Sequence, residues 1–238
     1  MIELSNLSMH FGGVVALDNV SVKFTAPVSG IIGPNGAGKT TTINVISGFL
    51  PCSGSIQYME KEIGQLPAYK RSRWGLRRSF QKEQIADDLT VLDNLKVILD
   101  TQPRSTIKTG LSADHALEAT GLQDKRFTMA AQLNNYERRM VDIARCLIAS
   151  PKIIMFDEPG GGLSSSETHA LGELISVVHS LTGANTLLID HDVDLISQVC
   201  QETLVLDFGK RIAFGPTRNI LSDPKVRSAY LGIEEVDG

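Results

Sequence analysis

The feature that most constrains this chain is a nine-residue glycine-rich stretch, Gly33-Pro34-Asn35-Gly36-Ala37-Gly38-Lys39-Thr40-Thr41. It matches the pattern G-x-x-x-x-G-K-[ST] at every defined position. Residues 28–32 before it form a short apolar run typical of a buried strand, and residues 40–50 after it carry apolar side chains at helical spacing. A strand, a glycine loop and a helix in this order form the setting in which the pattern binds phosphate.

The backbone explains why this pattern binds phosphate. Glycine adopts positive φ and has no side chain, so amide N–H groups can converge on an anion, and the helix that follows adds its positive N-terminus. Lys39 is expected to neutralise the β- and γ-phosphates, Thr40 to ligate Mg²⁺ and Thr41 to lie on the α-phosphate side. The whole stretch from Gly33 to Thr41 is therefore predicted to bind a nucleotide. The alternative is an ordinary glycine turn, which a full match disfavours.

The composition indicates a soluble globular chain that needs a partner for any work at a membrane. With 42% hydrophobic residues and a mean hydropathy of +0.00, its 238 residues can bury one large core with room for a second lobe. The net charge of −4 argues against nucleic acid as the main partner. No apolar run is long enough to span a bilayer, and the N-terminus lacks signal-peptide features. The three cysteines are scattered, which indicates free thiols in a reducing cytosol without metal-site spacing.

A second strong signal is a buried strand that ends in two carboxylates. Residues 153–156 are a continuous apolar run, as expected for a parallel strand covered on both faces, and Asp157 and Glu158 follow it directly. Ligands of open α/β sheets bind at the carboxyl ends of strands. Asp157 is expected to hold Mg²⁺ through water, and Glu158 to act as the base that polarises an attacking water. The alternative is a pair of helix N-cap residues.

Three single residues are weaker candidates for nucleotide contacts. Phe11 stands before the turn at Gly12-Gly13 and could stack on a base, although a half-buried strand residue is an equal alternative. Gln81 could orient water or bind Mg²⁺, but most glutamines are surface residues. His191 follows the apolar strand 186–190 at the edge predicted for Asp157 and Glu158, so a γ-phosphate contact is favoured over a structural role.

The remaining pattern places strands at both ends of the chain and helices between them. Residues 1–32 alternate as strands, and 54–63 and 203–214 indicate hairpins. From Thr90, a plausible N-cap, to about residue 150 the pattern is helical.

Three other stretches carry specific expectations. The basic run 70–78 is expected to be a solvated face, 103–110 a loop, and 223–231 a short helix.

Together these elements resemble an ATP-binding cassette (ABC) ATPase over nearly the whole chain. The matching elements are Walker A (33–41), Walker B (153–157), the catalytic glutamate (Glu158), the Q-loop (Gln81), the switch histidine (His191) and the A-loop aromatic residue (Phe11). The resemblance implies an α/β fold with a RecA-like P-loop ATPase core, an antiparallel β arm and a helical subdomain. It also implies ATP and Mg²⁺ as cofactors, with Thr40, Gln81 and Asp157 at the metal.

The resemblance further implies one ABC ATPase domain over residues 1–238. Its β arm and P-loop core would occupy 1–82, its helical subdomain 83–150, and the second part of the core with the C-terminal tail 151–238.

Within this superfamily the chain is similar to the ATPase subunits of branched-chain amino-acid importers, a family that includes urea-type importers. The segments that carry the similarity are Phe11–Gly13, Arg78–Gln81, Thr90–Leu95, Asp142–Arg145, Asp190–Asp192 and Ala229–Gly232. The similarity implies a peripheral protein on the cytoplasmic face of the inner or plasma membrane. It would couple ATP hydrolysis to import through separate permease subunits, with a solute-binding protein acting indirectly. The alternatives are a nucleotide-gated binding subunit with little turnover, or a soluble ABC ATPase without a transport role.

One departure from the family concerns the segment Leu133–Glu137, here called the signature segment. The family sequence is LSGGQ, whereas this chain reads Leu-Asn-Asn-Tyr-Glu and lacks the serine and both glycines. The D-loop position, Gly162–Ser164, also lacks the usual aspartate. In the family each ATP lies between Walker A of one subunit and the signature of the other. The departure therefore leads us to expect a heterodimer with a second ABC ATPase that has an intact signature.

Overall fold

The computed structural model describes residues 1–102 and 104–227. The chain divides into two compact units, which are described separately. Unit 1 comprises Met1–Arg71 and the chain from Leu187 onward, and unit 2 comprises Ser72–Thr186. Helix α2 (Ala68–Trp74) and strand β8 (Asn185–Ile189) each cross the division. Within the described part of the chain, every helix is too short or too polar to cross a membrane.

Unit 1 begins with a four-stranded antiparallel sheet. Its strand order is β2-β1-β4-β5, and Ile2 of the first strand pairs with Phe24 on one side and Tyr58 on the other. Alternating buried side chains line one face, as the sequence pattern predicts. The strands are β1 (Ile2–Phe11), β2 (Val14–Phe24), β4 (Ser53–Tyr58) and β5 (Lys61–Glu62).

The second sheet of unit 1 carries the glycine loop. Its strand order is β10-β9-β3-β8, with β3 and β9 parallel and β10 and β9 antiparallel. All five residues of β3 are buried, as expected for a covered parallel strand. The remaining elements of unit 1 are β3 (Val28–Ile32), α1 (Lys39–Ser47), α8 (Val193–Val199), β9 (Glu202–Asp207), β10 (Lys210–Pro216), α9 (Thr217–Ser222) and α10 (Pro224–Val226).

Unit 2 combines the parallel strands β6 and β7 with a group of helices. These two strands follow β8, which crosses the division, in the order β8-β7-β6, and Arg78 of β6 pairs with Met155 of β7. Helix α6 buries its apolar stripe, including Met140 and Ile143, in the core of this unit. The elements are β6 (Leu76–Arg78), α3 (Val91–Asp100), α4 (Arg104–Thr109), α5 (Ala113–Ala119), α6 (Asn135–Leu147), β7 (Ile153–Asp157) and α7 (Ser165–Thr182), with 3₁₀ turns at Gln123–Lys125 and Ala130–Gln132.

Two expectations about local structure are wrong. The stretch 103–110, expected to be a loop, contains helix α4, because the proline and glycine that bracket it do not interrupt its interior. The basic run is not a solvated face throughout, since Arg71 and Arg77 are buried. Arg71 donates to the carbonyls of Val45 and Ile46 near the end of α1, where helix carbonyls lack intrahelical partners.

The predicted C-terminal helix is only partly tested. Within 223–231 the structure has the short helix α10, and the rest of that range lies outside the described residues. The segment Ala229–Gly232, one of those that carry the family resemblance, also lies outside them.

Candidate functional site

The glycine loop of unit 1 has a conformation that its glycines make possible. Gly33 has φ +151° and Gly38 has φ +102°. A Cβ atom on Gly33 would lie 2.1 Å from the carbonyl oxygen of Leu206, and one on Gly38 would lie 2.7 Å from that of Ala16. The loop is therefore packed so closely against β9 and β2 that side chains at these two positions are excluded.

The loop ends at a helix start that is suited to an anion. The N-cap residue of α1, Gly38, has no side chain to cap the helix, and the first turn of the helix contains no acidic residue. The ammonium group of Lys39 donates to the carbonyls of Gly33 (2.6 Å) and Pro34 (2.9 Å), so it lies over its own loop. Thr40 is exposed and Thr41 is half-buried. A helix N-terminus with a lysine and two hydroxyls nearby fits a nucleotide phosphate.

Two other candidates in unit 1 lie at the ends of strands. Phe11 is the last residue of β1 and is 48% exposed. It pairs with Val14 of β2, two residues before Ala16, whose carbonyl lies against Gly38. His191 is exposed and follows Asp190, a fully buried residue whose carboxylate lies 3.6 Å from the imidazole Nδ1. Both side chains are accessible, and their roles toward a nucleotide remain predictions.

In unit 2 the carboxyl end of β7 brings three functional groups together. The amide nitrogen of Gln81 donates to Glu158 at 2.7 Å, so two of the predicted catalytic residues are in direct contact. Glu158 has φ +51°, an unusual conformation for a residue other than glycine. The preceding carboxylate, Asp157, is buried and accepts a hydrogen bond of 2.7 Å from Arg78. Arg78 is thus a partner of the predicted metal carboxylate that sequence reasoning did not single out.

The backbone that carries Gln81 is anchored by side chains from one face of α6. Buried Arg139 donates to the carbonyls of Phe80 (3.0 Å) and Gln81 (3.2 Å), and it pairs with Glu83 at 2.9 Å. Asp142 accepts from the N–H of Phe80. Burial raises the pKa of Asp142 to about 6, against the opposing effect of Arg145.

Sequence reasoning missed this anchoring role. A usable signal is the i, i+3 spacing of Arg139 and Asp142 on an otherwise apolar face of α6.

The signature segment forms the start of α6 and is closed by its own side chains. The Asn134 side chain accepts from the N–H of Glu137 (2.8 Å), and the Glu137 carboxylate accepts from the N–H of Asn134 (3.0 Å), which is a complete capping box. Glu137 also pairs with Lys125 at 2.6 Å, and this hydrogen bond lowers the pKa of Glu137. Tyr136 is half-buried, and burial together with the charge of Glu167 raises its pKa.

The predicted metal ligands offer suitable chemistry. Thr40, Gln81 and Asp157 supply a hydroxyl, an amide oxygen and a carboxylate, which are the oxygen ligands that Mg²⁺ prefers. The bond to Glu158 uses the amide nitrogen of Gln81, so its amide oxygen is not engaged there. Among residues 1–102 and 104–227 no cluster of three or more His, Cys, Asp or Glu side chains could hold a metal by itself.

The chain matches known proteins over nearly its whole length. The family model described as ABC transporter matches residues 17–161. The high-affinity branched-chain amino acid transport ATP-binding protein LivG of Salmonella typhimurium is 34% identical over 98% of both chains. The lipopolysaccharide export system ATP-binding protein LptB of Acidithiobacillus ferridurans is 32% identical over 98% of this chain and 97% of that protein.

A solved structure gives the same result for the fold. The ADP conformation of MJ1267, an ATP-binding cassette of an ABC transporter, superposes with a TM-score of 0.84 at 30% identity, and the match covers 98% of this chain and 99% of that one. The expected α/β fold with a P-loop ATPase core is therefore confirmed. The glycine loop with its lysine, the carboxylates after β7 and these matches lead to one conclusion: the chain belongs to the ATP-binding cassette transporter family and is a nucleotide-binding ATPase subunit.

Proposed function

We propose that this chain hydrolyses ATP to drive import of a small solute, such as a branched-chain amino acid or urea, through separate permease subunits. The observation that carries the proposal is the 2.7 Å hydrogen bond between Gln81 and Glu158 at the end of β7. It holds a carboxylate and an amide together, as needed to orient a water and take its proton. The positive φ of Glu158 is a strained conformation of the kind that clusters at functional sites.

Each predicted site residue has a role in this chemistry. Glu158 is the general base, Gln81 positions the attacking water, and His191 contacts the γ-phosphate. Lys39 neutralises the β- and γ-phosphates, and Phe11 stacks on the base. The rest of the proposed nucleotide-binding loop consists of Gly33, Pro34, Asn35, Gly36, Ala37, Gly38, Thr40 and Thr41. Backbone N–H groups of this loop, other than at Pro34, and the two threonine hydroxyls bind the phosphates.

Mg²⁺ is the cation that we propose for Thr40, Gln81 and Asp157, the last through water. When bound it neutralises charge on the phosphates. The fold supplies a buried carboxylate at Asp157. Mg²⁺ is usually bound by one or two carboxylates together with the phosphates of a substrate.

The substrate class rests on the relatives. LivG, at 34% identity, supports branched-chain amino acids. LptB, at 32%, belongs to a lipopolysaccharide export system and favours export as the second candidate direction. Transport assays should therefore measure both uptake and release.

The proposed docking face for the permease lies in the helical segment 83–150, within the single ATPase domain 1–238. Exposed apolar side chains occur there at Val97 of α3 and at Phe127 and Met129. The last two flank Thr128, whose carbonyl accepts from the N–H of Val91 at the start of α3. Exposed apolar groups on a helical segment suit a docked helix of a membrane partner. The chain would then lie peripherally on the cytoplasmic face of the membrane, with a solute-binding protein acting through the permease.

The partner ATPase is proposed from the signature segment. Asn134, Asn135 and Tyr136 replace the serine and glycines, and the capping box already occupies the start of α6. A second ABC ATPase with an intact signature would complete the ATP site built on Lys39 and Glu158. The other ATP site, built from Walker A of the partner and the signature segment of this chain, would bind ATP and hydrolyse it slowly. The same segment favours an alternative role, a nucleotide-gated subunit with little turnover of its own.

The proposed function is tested with the complex purified from membranes through a tag on this chain. In proteoliposomes we expect ATP-dependent movement of labelled leucine, isoleucine, valine or urea. Substitution Glu158→Gln should abolish it, whereas Glu173→Gln on the exposed face of α7 should not. Movement of labelled lipopolysaccharide instead would support the export alternative. Nucleotide binding without hydrolysis in the intact complex would support the gating alternative.

A further inference from the structure

Arg78 and Asp157 form a buried ion pair that no family role assigned above explains. The guanidinium Nη2 donates to Oδ2 of Asp157 at 2.7 Å, and the two side chains are 6% and 5% exposed. Arg78 is the last residue of β6, which runs parallel to β7, so both strands deliver their groups at the same edge. The guanidinium also lies 4.7 Å from the ring centre of Phe80. The arginine is therefore held in place from two sides.

This pairing matters because a buried carboxylate requires a counter-charge. In the structure Arg78 supplies that charge. Asp157 is also the carboxylate proposed to hold Mg²⁺, so the inference rests on the proposed function. Two cations that share one buried carboxylate repel each other, and each weakens the hold of the other.

We propose that Arg78 is a positioning residue that holds Asp157 until Mg²⁺ arrives with ATP and sets how strongly the metal and the nucleotide favour each other's binding. Arg78 stabilises the metal-free ATP complex, because it neutralises the carboxylate of Asp157 that would otherwise repel the phosphates. It disfavours the complex with Mg²⁺, because its charge opposes the metal and its guanidinium occupies an oxygen of Asp157. Removing Arg78 therefore changes the two affinities in opposite directions.

A ratio of dissociation constants measures this effect. The ratio is the Kd of the non-hydrolysable analogue AMP-PNP in excess EDTA divided by its Kd in excess MgCl₂, both by calorimetry. For Arg78→Gln we expect the ratio to rise about tenfold or more, which is the usual size of coupling between two ligands. A general loosening of the fold would weaken both affinities together and leave the ratio unchanged.

Three variants make the result specific. Arg73→Gln removes an exposed arginine from the same basic run and should leave the ratio at the wild-type value. Asp157→Asn should lower the ratio sharply, because the carboxylate that favours the metal is gone. Arg78→Lys keeps the charge and should stay closer to wild type than Arg78→Gln does.

A folding failure of Arg78→Gln does not end the test. The double variant Arg78→Gln/Asp157→Asn is neutral at both positions, and removing both partners of a buried pair is far less destabilising than removing one. In the single variant Asp157→Asn the arginine still repels the metal. The double variant should therefore have a ratio about tenfold higher than that of Asp157→Asn.

The outcomes separate the inference from the proposed function. A wild-type ratio near one, or no effect of Asp157→Asn, would overturn the metal role of Asp157 and with it part of the proposed function. The role of Arg78 alone would be overturned if Asp157→Asn lowers the ratio as expected but Arg78→Gln leaves it at the wild-type value. The same holds if the double variant has the same ratio as Asp157→Asn.

Discussion

Two helices of this chain begin directly after a loop that the family uses for phosphate, and they begin in opposite ways. Helix α1 starts at Gly38 in the left-handed conformation, and this N-cap residue makes no side-chain cap. Helix α6 starts at Asn134 in the extended conformation, with a complete capping box closed by Glu137. The N-cap residue of the first helix has no side chain and is followed directly by Lys39. At the start of the second helix, the side chains of Asn134 and Glu137 already accept from backbone N–H groups.

The difference shows what a helix start needs in order to bind an anion. Unpaired N–H groups and the positive end of the helix dipole attract phosphate only where nothing else occupies them. In α6 the Glu137 carboxylate places a negative charge there, although Lys125 offsets part of it. We therefore propose that this chain carries a competent ATP half-site on its P-loop and a poor half-site on its signature segment.

The largest expected effect concerns the half-site that we consider competent. Glu158→Gln should reduce ATP turnover by roughly 10²–10⁴-fold in the membrane complex while ATP binding persists, because only the general base is lost. Steady-state phosphate release and equilibrium binding of ATP measure the two quantities. Glu173→Gln, an exposed carboxylate on α7, serves as the matched control and should change neither. Unchanged turnover in Glu158→Gln would show that the competent half-site lies elsewhere.

The next effect concerns the glycines that keep the start of α1 open. Gly38→Ala places a Cβ 2.7 Å from a backbone oxygen at φ +102°, whereas Gly36→Ala, at φ +81°, meets no atom within 4 Å. Both substitutions carry a backbone penalty of about 1–2 kcal/mol in the free energy of unfolding, and only Gly38→Ala adds a clash. In denaturant unfolding without nucleotide, the free energy of unfolding of Gly38→Ala should be clearly lower than that of Gly36→Ala. Equal losses would mean that the close packing of the loop is not stabilising.

Much of this architecture could be predicted from local pattern. Strand Val28–Ile32 has the predicted bounds, and strand Ile153–Asp157 extends one residue beyond the predicted run 153–156, because a continuous apolar run followed by polar residues defines a covered strand. Thr90 caps α3 as predicted, since its hydroxyl accepts from Asp93. Such features depend on residues that are neighbours in sequence.

What could not be predicted depends on contacts between distant residues. Arg78 and Asp157 are 79 positions apart, and no pattern in the basic run distinguishes a buried arginine from a solvated one. Arg139 holds the backbone of Phe80 from 59 positions away. In each case the tertiary fold decides which charge is buried and paired.

A smaller effect tests the closed start of α6. Asn134→Ala removes the cap acceptor and should lower the free energy of unfolding by about 1 kcal/mol. Asn134→Ser keeps a capping side chain and should stay near wild type. Thermal unfolding of the two variants beside wild type makes the comparison. A neutral Asn134→Ala would show that the capping box does not hold this helix start closed.

The last effect concerns Asp142, a buried acid on α6, and it appears only as a change of stability with pH. Burial raises the pKa of Asp142 from 3.8 to about 6, with Arg139, Arg145 and Glu83 as its charged neighbours. The folded protein then binds the proton more tightly than the unfolded chain, so the stability contributed by this group falls as the pH rises through this range. Asp142→Asn removes that dependence. Its stability relative to wild type should increase by about 1 kcal/mol between roughly pH 5 and pH 7.5 in denaturant titrations. A difference that does not vary with pH would contradict the raised pKa.

The most direct test of the two half-sites is steady-state ATP hydrolysis by the purified chain alone. Wild type is compared with Asn134→Ser/Asn135→Gly/Tyr136→Gly, which restores the serine and both glycines of the family signature, and each is paired with Glu158→Gln. We predict turnover near background for wild type and a gain of about tenfold or more in the restored variant, since added phosphate donors act in the transition state. That gain should disappear with Glu158→Gln. Wild-type hydrolysis that depends on Glu158 and equals that of the restored variant would contradict the account, because the signature segment would then be sufficient as it stands.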